Sequence, residues 1–347
     1  MHIRQERNKV ELKMTCDVVV GGFWGDEGKG KIISYLVNKR QAKVVAKGGV
    51  GPNAGHTIVI KGKEYKLRMV PSGIGGSNVE KLLIGPGVLV NPEVFLKEIE
   101  LTGTKGQSFV DPQCGIIGPE HIEIDRTDKF LTQTVGTSGA GTGPANQDRV
   151  RRVLKIARDI ENLKPYLIDV PQEVNKAINN KEPVLIEGTQ ATHLSLFHGT
   201  YPFVTSKDVT ASSICADVGI GPTKITDVVL VFKAYVTRVG EGPLPNQLSE
   251  EETRRRGWIE YGTVTGRLRR AAPFNVELAK RSIMLNGATK LALTKLDIIY
   301  PNEVGKRHYD DLETKTKKWI SGIEEELNMK FHFIGTGPAD VDIIDRE

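Results

Sequence analysis

Residues 17–33 read Asp17-Val18-Val19-Val20-Gly21-Gly22-Phe23-Trp24-Gly25-Asp26-Glu27-Gly28-Lys29-Gly30-Lys31-Ile32-Ile33. The β-branched run Val18-Val19-Val20 opens into a glycine-rich turn, and Ile32, Ile33 and Leu36 follow at helical spacing, so the stretch predicts strand, loop and helix. The spacing Gly25-x-x-x-x-Gly30-Lys31 comes near that of phosphate-binding loops, with Ile32 where a serine or threonine would hold magnesium. Small residues that free backbone N–H groups, a helix N-terminus and the lysines Lys29 and Lys31 make an anion cradle. A plain strand-to-helix turn is the competing reading. The embedded Asp26-Glu27 speaks for the cradle, because a carboxylate there repels phosphate unless it binds a metal or moves a proton.

Working outward, short strands are expected at 43–46, 57–60, 65–70, 82–85, 184–187, 228–236 and 291–295, and helices at 92–101, 145–160, 174–180, 276–286 and 322–328. Strands interleaved with helices predict an α/β fold with a large, mostly parallel central sheet flanked by helices. No internal repeat and no linker-like stretch interrupts residues 14–347, which are therefore expected to form one domain. Residues 1–13 are polar and charged, lack the apolar centre of a secretory signal, and are expected to be a disordered extension. Met14, directly before the first strand, is an alternative start.

Composition narrows the function classes. The 347 residues are 39% hydrophobic, enough for a sizeable core, and no apolar run approaches the ~20 residues of a membrane span. The net charge of +5 suits an enzyme of anionic substrates or a weak nucleic-acid binder. Basic clusters at Arg149, Arg151 and Arg152, at Arg254 to Arg256, and at Arg267, Arg269 and Arg270 carry no interleaved aromatics, which argues against nucleic-acid binding. Cys16, Cys114 and Cys215 are odd in number and widely spaced, so neither disulfides nor a zinc site is indicated, and a reducing compartment fits.

Two further motifs bear on chemistry. Asn53-Ala54-Gly55-His56-Thr57 closes a glycine-rich segment before a predicted strand. A histidine there can donate to a phosphoryl oxygen, although a lone histidine is more often structural. Thr294-Lys295-Leu296-Asp297 follows a predicted buried strand. A carboxylate at Asp297 can accept both the ring N–H and the amino group of guanine, while adenine would leave it unpaired, a discrimination that can reach roughly 10⁴-fold.

Together these residues resemble the adenylosuccinate synthetase family. The resemblance runs from Trp24 through Gly25-Asp-Glu-Gly-Lys-Gly-Lys31, Asn53-Ala-Gly-His-Thr57, Gly136-Thr-Ser-Gly-Ala-Gly-Thr-Gly-Pro-Ala145, Glu187-Gly-Thr-Gln190 and His198-Gly-Thr-Tyr-Pro-Phe-Val-Thr-Ser206. It continues through Thr237-Arg-Val-Gly-Glu-Gly-Pro243, Gly262-Thr-Val-Thr-Gly-Arg-Leu-Arg-Arg270, Thr294-Lys-Leu-Asp297 and Gly335-Thr-Gly-Pro338. The chain is shorter than the common form, with losses between 70 and 136, between 158 and 184 and in the last third, and so resembles a compact, archaeal-like form with trimmed peripheral elaborations.

The resemblance implies a fold related to the P-loop NTPases and a cytoplasmic homodimer of purine biosynthesis. It implies GTP-dependent ligation of L-aspartate to IMP, giving adenylosuccinate, GDP and phosphate through 6-phosphoryl-IMP, with one Mg2+ per subunit. Carried over by position, Asp26 is the general base and His56 acts on the moving phosphoryl group, while the Asp26 carboxylate and Gly55 carbonyl hold magnesium. Gly25, Glu27, Gly28, Lys29, Gly30, Lys31, Thr57, Lys295, Asp297, Gly335 and Gly337 fall at GTP. Asp26, Asn53, Ser138, Gln190, Thr205 and Arg269 fall at IMP, with Arg152 reaching there from the partner subunit. Thr265 and Arg267 fall at aspartate. Ala140 and Gly335 stand where the longer form usually has arginine and serine, which bears on substrate affinity rather than on the reaction. A GTP-binding switch without ligase chemistry is the alternative, and it would need neither Asp26 nor His56. Trp258, Trp319 and Arg254 to Arg256 have no role implied, and read as packing residues and a solvated turn.

Overall fold

The computed structural model describes residues 15–262 and 266–347. The expected extension at 1–13, and Thr265, lie outside the described residues.

Nine strands form the central sheet: β1 Cys16–Gly21, β2 Val44–Lys47, β3 Lys81–Ile84, β4 Ser108–Val110, β5 Val184–Glu187, β6 Asp227–Lys233, β7 Lys290–Thr294, β8 Phe331–Gly335 and β9 Ile343–Asp345. Their order is β9-β8-β7-β6-β1-β5-β2-β3-β4. All neighbours are parallel except β9, which runs antiparallel to β8 at the edge. β1 lies between β6 and β5, in register Val18 to Val228 and Val18 to Ile186. Helices cover both faces, which is why strands such as Cys16–Gly21 are apolar and buried throughout rather than alternating. Val18 and Val20 point into one core with Val174, Ile214 and Ile320, whereas Val19 points into the other with Ile32, Ile33, Leu36 and Phe95. The helix Lys29–Lys39 thus packs its apolar stripe under the strand that precedes it.

The strand–loop–helix reading of residues 17–33 and the mostly parallel sheet agree with the structure, and the departures have identifiable causes. The expected helix 145–160 is Thr142–Arg151, stopped by Arg152 at φ 67°. The apolar residues beyond it run extended instead, where Ile116 N–H bonds Lys155 O at 2.9 Å and Ala157 N–H bonds Cys114 O at 2.8 Å. The expected strand 228–236 is two strands: β6 ends at Lys233, and Tyr235–Arg238 leaves the sheet to pair antiparallel with Arg270–Pro273. Residues 63–67 fold back on 56–60 as a hairpin, with Lys61 and Gly62 both at positive φ.

Gly22 sets how tightly the first loop leaves β1. A Cβ there would sit 2.2 Å from a ring carbon of Phe232, and that ring is fixed between Phe23 and Phe274 at centroid distances of 4.9 and 5.8 Å. Gly22→Ala is expected to destabilise the fold by about 1–3 kcal/mol through overpacking. Urea unfolding checks this, and an unchanged midpoint would show that the aromatic cluster yields.

Candidate active site

The loops after β1, β2, β5, β7 and β8 all leave the carboxyl edge of the parallel strands, the side where open α/β sheets bind ligands. A cleft of about 930 Å³ opens there. Its wall includes Gly25, Asp26, Gly28, Lys29, Gly30, Lys31, Asn53, Gly55, His56, Thr57, Ser138, Gln190, Thr205, Arg267, Arg269, Lys295, Asp297 and Gly337. Residues spread over more than three hundred positions of sequence therefore line one cavity. Glu27 and Gly335 are not in the wall, and Arg152 is an exposed helix cap outside the cleft.

The first loop is held from behind. Gly28 caps the helix Lys29–Lys39 at φ 85°, a left-handed conformation that glycine adopts without a Cβ clash. Glu27 turns inward, 1% exposed, and its carboxylate accepts Phe23 N–H at 3.1 Å, Gly25 N–H at 2.7 Å and the Lys29 ammonium at 3.0 Å. Glu27, expected at the GTP phosphates, thus shapes the loop from beneath, because a buried anion needs these donors. Lys31 donates to Gly337 O and, at 2.8 Å, to Asp342 O, and burial pushes its ammonium down to about 8. Gly335 lies behind this lysine, where an added Cβ would come within 3.3 Å of Nζ.

His56 begins the strand His56–Ile60, and its Nδ1 hydrogen-bonds Glu187 at the end of β5. Glu187 is fully buried and accepts Ser72 N–H at 2.6 Å and Ser72 Oγ–H at 2.8 Å, with the Lys47 ammonium 3.8 Å away. Although burial disfavours the ionised carboxyl, Lys47 and then His56 outweigh it, and Glu187 is held down at about 2. An ionised Glu187 fixes the proton on Nδ1. Burial lowers the imidazole's pKa, with Glu187 opposing. Nε2 is buried and has no hydrogen-bond partner. It is therefore available to a group entering the cleft.

Asn53, Gln190 and Thr205 form one cluster: Gln190 Nε2–H donates to Asn53 Oδ1 at 2.8 Å, and Asn53 Nδ2–H to Thr205 Oγ1 at 3.4 Å. Ser138 lies on a loop anchored by Asp125, which accepts Thr137 Oγ1–H and Gly141 N–H, each at 2.7 Å. Arg267 spans to that loop, donating to Gly136 O at 2.7 Å and Thr137 O at 3.1 Å. Arg269 pairs with Asp26 at 2.8 Å and, through its other terminal nitrogen, with Glu260. At the far end, Asp297 Oδ1 is buried without a partner, and burial raises the pKa of this carboxyl against the pull of Lys295. Asp26, Gln190 and Lys295 all adopt positive φ, of 61°, 51° and 61°. Among the described residues, six other non-glycine residues, Lys61 and Arg152 among them, adopt positive φ outside the cleft wall, so the conformation is not confined to the site.

The family profile of adenylosuccinate synthetase matches residues 18–160 and 153–304. The chain belongs to the adenylosuccinate synthetase family. The adenylosuccinate synthetase of Methanocaldococcus jannaschii is 54% identical over 95% of this chain and 96% of its own, and that of Archaeoglobus fulgidus 52% over 96% and 98%. Among solved structures, the fully ligated adenylosuccinate synthetase of Plasmodium falciparum superposes with a TM-score of 0.88 at 25% identity, covering 95% of this chain and 99% of that one. A succinoaminodeoxyadenylate synthetase of cyanophage S-2L, bound to dGMP and to dATP as energy donor, gives 0.80 at 25% identity over 96% and 95%. Membership makes the chain a GTP-dependent ligase of purine nucleotide biosynthesis that joins aspartate to IMP.

Sequence reasoning gave no role to Glu187, Glu260, Lys47 or Lys233. Glu187 stood in a quoted motif, but its histidine partner is 131 residues away, and local spacing carries no sign of such a pair. The sign of the Glu187 effect is testable. With a folded-state value near 2 against an ordinary 4.5, its ionisation adds stability above pH 4.5, which is lost as pH falls towards 2. Glu187→Gln leaves Lys47 buried without its anion, so at pH 7 it is expected to cost about 3 kcal/mol. The difference from wild type should shrink as urea unfolding is repeated towards pH 3.

Proposed function

We propose that this cleft performs the ligation through 6-phosphoryl-IMP, with Asp26 as base, His56 at the phosphoryl group and Asp297 reading guanine. The unpartnered, buried Nε2 of His56 carries this reading, because it stands in the same wall as the first loop and Asp26. Asp26, about a quarter exposed, takes the N1 proton of IMP, and O6 then attacks the γ-phosphorus as its bond to the β-phosphate oxygen breaks and GDP leaves. His56, oriented by Glu187, hydrogen-bonds the phosphoryl oxygens; the added negative charge favours the imidazolium, so Nε2 can donate. The aspartate amine next attacks C6. Its carbon–nitrogen bond forms, the carbon–oxygen bond breaks, phosphate departs with O6, and the aspartate ammonium gives up two protons to solvent, leaving one N–H on the new bond.

The cradle at Gly25, Gly28, Lys29, Gly30, Lys31 and Thr57 would take the GTP phosphates, and Lys295, Asp297 and Gly337 the guanine. Asn53, Ser138, Gln190, Thr205 and Arg269 would hold IMP, and Arg267, with Thr265, would hold aspartate, bidentate pairing being the reason for arginine. Among the described residues no group of three or more His, Cys, Asp and Glu is placed to cage a metal ion. Magnesium is commonly held by one or two carboxylates together with substrate phosphates, and the Asp26 carboxylate and Gly55 carbonyl of the wall fit that donor set. One Mg2+ there would neutralise charge on the phosphates.

A homodimer is part of the reading: Arg152, exposed and outside its own cleft, would serve the partner's IMP site. The chain from residue 14 onwards is read as one domain, acting in the cytoplasm. No helix among the described residues is long and apolar enough to cross a membrane.

The test is adenylosuccinate formation followed by absorbance with IMP, aspartate and Mg2+, with GTP or ATP, omitting each component in turn. Product that requires all components and prefers GTP supports the reading; GTP hydrolysis indifferent to IMP and aspartate would favour a nucleotide switch. Asp297→Asn should raise KM for GTP by about tenfold or more, since a charged acceptor is lost.

Lys31 gives a pH signature. Its ammonium is charged below about 8 and neutral above, so KM for GTP should rise through that pH. Lys31→Arg should flatten the profile, and a flat wild-type profile from pH 6.5 to 9.5 would remove Lys31 from the phosphates.

A further inference from the structure

Glu260 lines the cleft beside Arg269, and several cations converge on it. Its carboxylate accepts the Lys233 ammonium at 2.9 Å, a terminal nitrogen of Arg269 and the Tyr235 hydroxyl, with the Lys295 ammonium at 3.9 Å. Lys233 and Arg269 are nearly fully buried. Lys233 is the last residue of β6 and Lys295 follows β7 directly, so one anion ties together two strand ends and the returning chain. Cations that dominate its surroundings hold Glu260 ionised, well below the usual carboxylate range.

Its backbone acts on the same partner. Glu260 O accepts Arg269 N–H at 2.9 Å, and Gly262 N–H bonds Arg267 O at 2.8 Å, which closes the neck of the loop between them. Arg269 is thereby held at two points by one residue. Of its guanidinium nitrogens, one meets Glu260, one meets Asp26 at 2.8 Å, and Nε is buried with no partner. With one terminal nitrogen on Glu260 and the other on Asp26, the guanidinium is held at a fixed angle between two carboxylates. Without Glu260, Lys233 and Arg269 lose the anion they share, and Asp26 alone holds the arginine, which is then free to turn about that one contact.

We propose that Glu260 is a positioning residue: it fixes the angle at which Arg269 meets Asp26 and the neck of the loop that bears Arg267, so that IMP and the aspartate co-substrate each meet a preset guanidinium group. This rests on the ligase reading above. Tyr235 takes part by donating to Glu260, with its ring stacked on Trp258 at 4.7 Å and an interplanar angle of 18°. Trp258, read from the sequence as packing only, is thus the support of that hydroxyl.

Two variants separate positioning from mere charge balance. Glu260→Asp keeps the charge but is one methylene too short to reach Lys233 and Arg269 together. Tyr235→Phe keeps packing and charge and removes one donor. Steady-state kinetics of the full chain are expected to show KM for IMP and for aspartate raised by about tenfold in Glu260→Asp and by about threefold in Tyr235→Phe. KM for GTP should stay within about twofold of wild type in both variants, with melting temperature followed in parallel. Wild-type KM for both IMP and aspartate in either folded variant overturns the proposal, as does a rise common to all three substrates. If Glu260→Asp fails to fold, Tyr235→Phe alone decides. A wild-type chain that makes no adenylosuccinate overturns the ligase reading itself, an outcome distinct from active wild type with unaffected variants.

Discussion

Removing a carboxylate from water costs several kcal/mol unless cations and N–H groups reach it, and the walls of this cleft are organised by meeting that condition repeatedly. Glu27 is met by two backbone amides and Lys29, Glu187 by Lys47, His56 and Ser72, and Glu260 by Lys233, Arg269 and Tyr235. None of the three is free to rotate without stranding a buried charge. Each therefore fixes a neighbour that faces the ligand: the first loop, the imidazole and the arginine. Beneath them the parallel sheet does the coarse work of bringing strand ends to one edge, and the buried anions set the final tenths of an ångström.

Legibility in the sequence follows the range of the interactions. The strand–loop–helix at 17–33 was readable because its apolar spacing, its glycines and its lysines are local. Central strands such as Val184–Glu187 were readable for the same reason. The strand Phe331–Gly335 and the edge strand Ile343–Asp345 were not, since the first adjoins the predicted helix and the second is only three residues long. The helix expected at 145–160 failed where Val153, Leu154 and Ile156 kept helical spacing but the backbone of residues 155–157 pairs with residues 114–116. A long-range ladder overrode a local pattern there.

The site shows the same division. Asp26, His56 and Asp297 were singled out by motif, and the structure gathers them into one cavity. The residues that orient them were silent, because a glutamate that answers a histidine 131 positions away leaves no periodic trace. Glu27 illustrates the converse: its motif position pointed to phosphate, yet its side chain faces the interior. Motifs identify which residues belong to a site more readily than which way each one turns.

The bond from Lys31 to Gly337 and Asp342 joins the first loop of the chain to its last hairpin, across 306 and 311 residues. During synthesis the N-terminal half emerges first and can assemble β1, its loop and the helix after it, but that lysine has no carbonyls to hold it until the final strands leave the ribosome. The lysine contact is thus completed last although its first residue is encoded first. A chain broken before residue 337 lacks both carbonyls that hold Lys31, so the segment encoded earliest depends for its final form on the hairpin encoded latest.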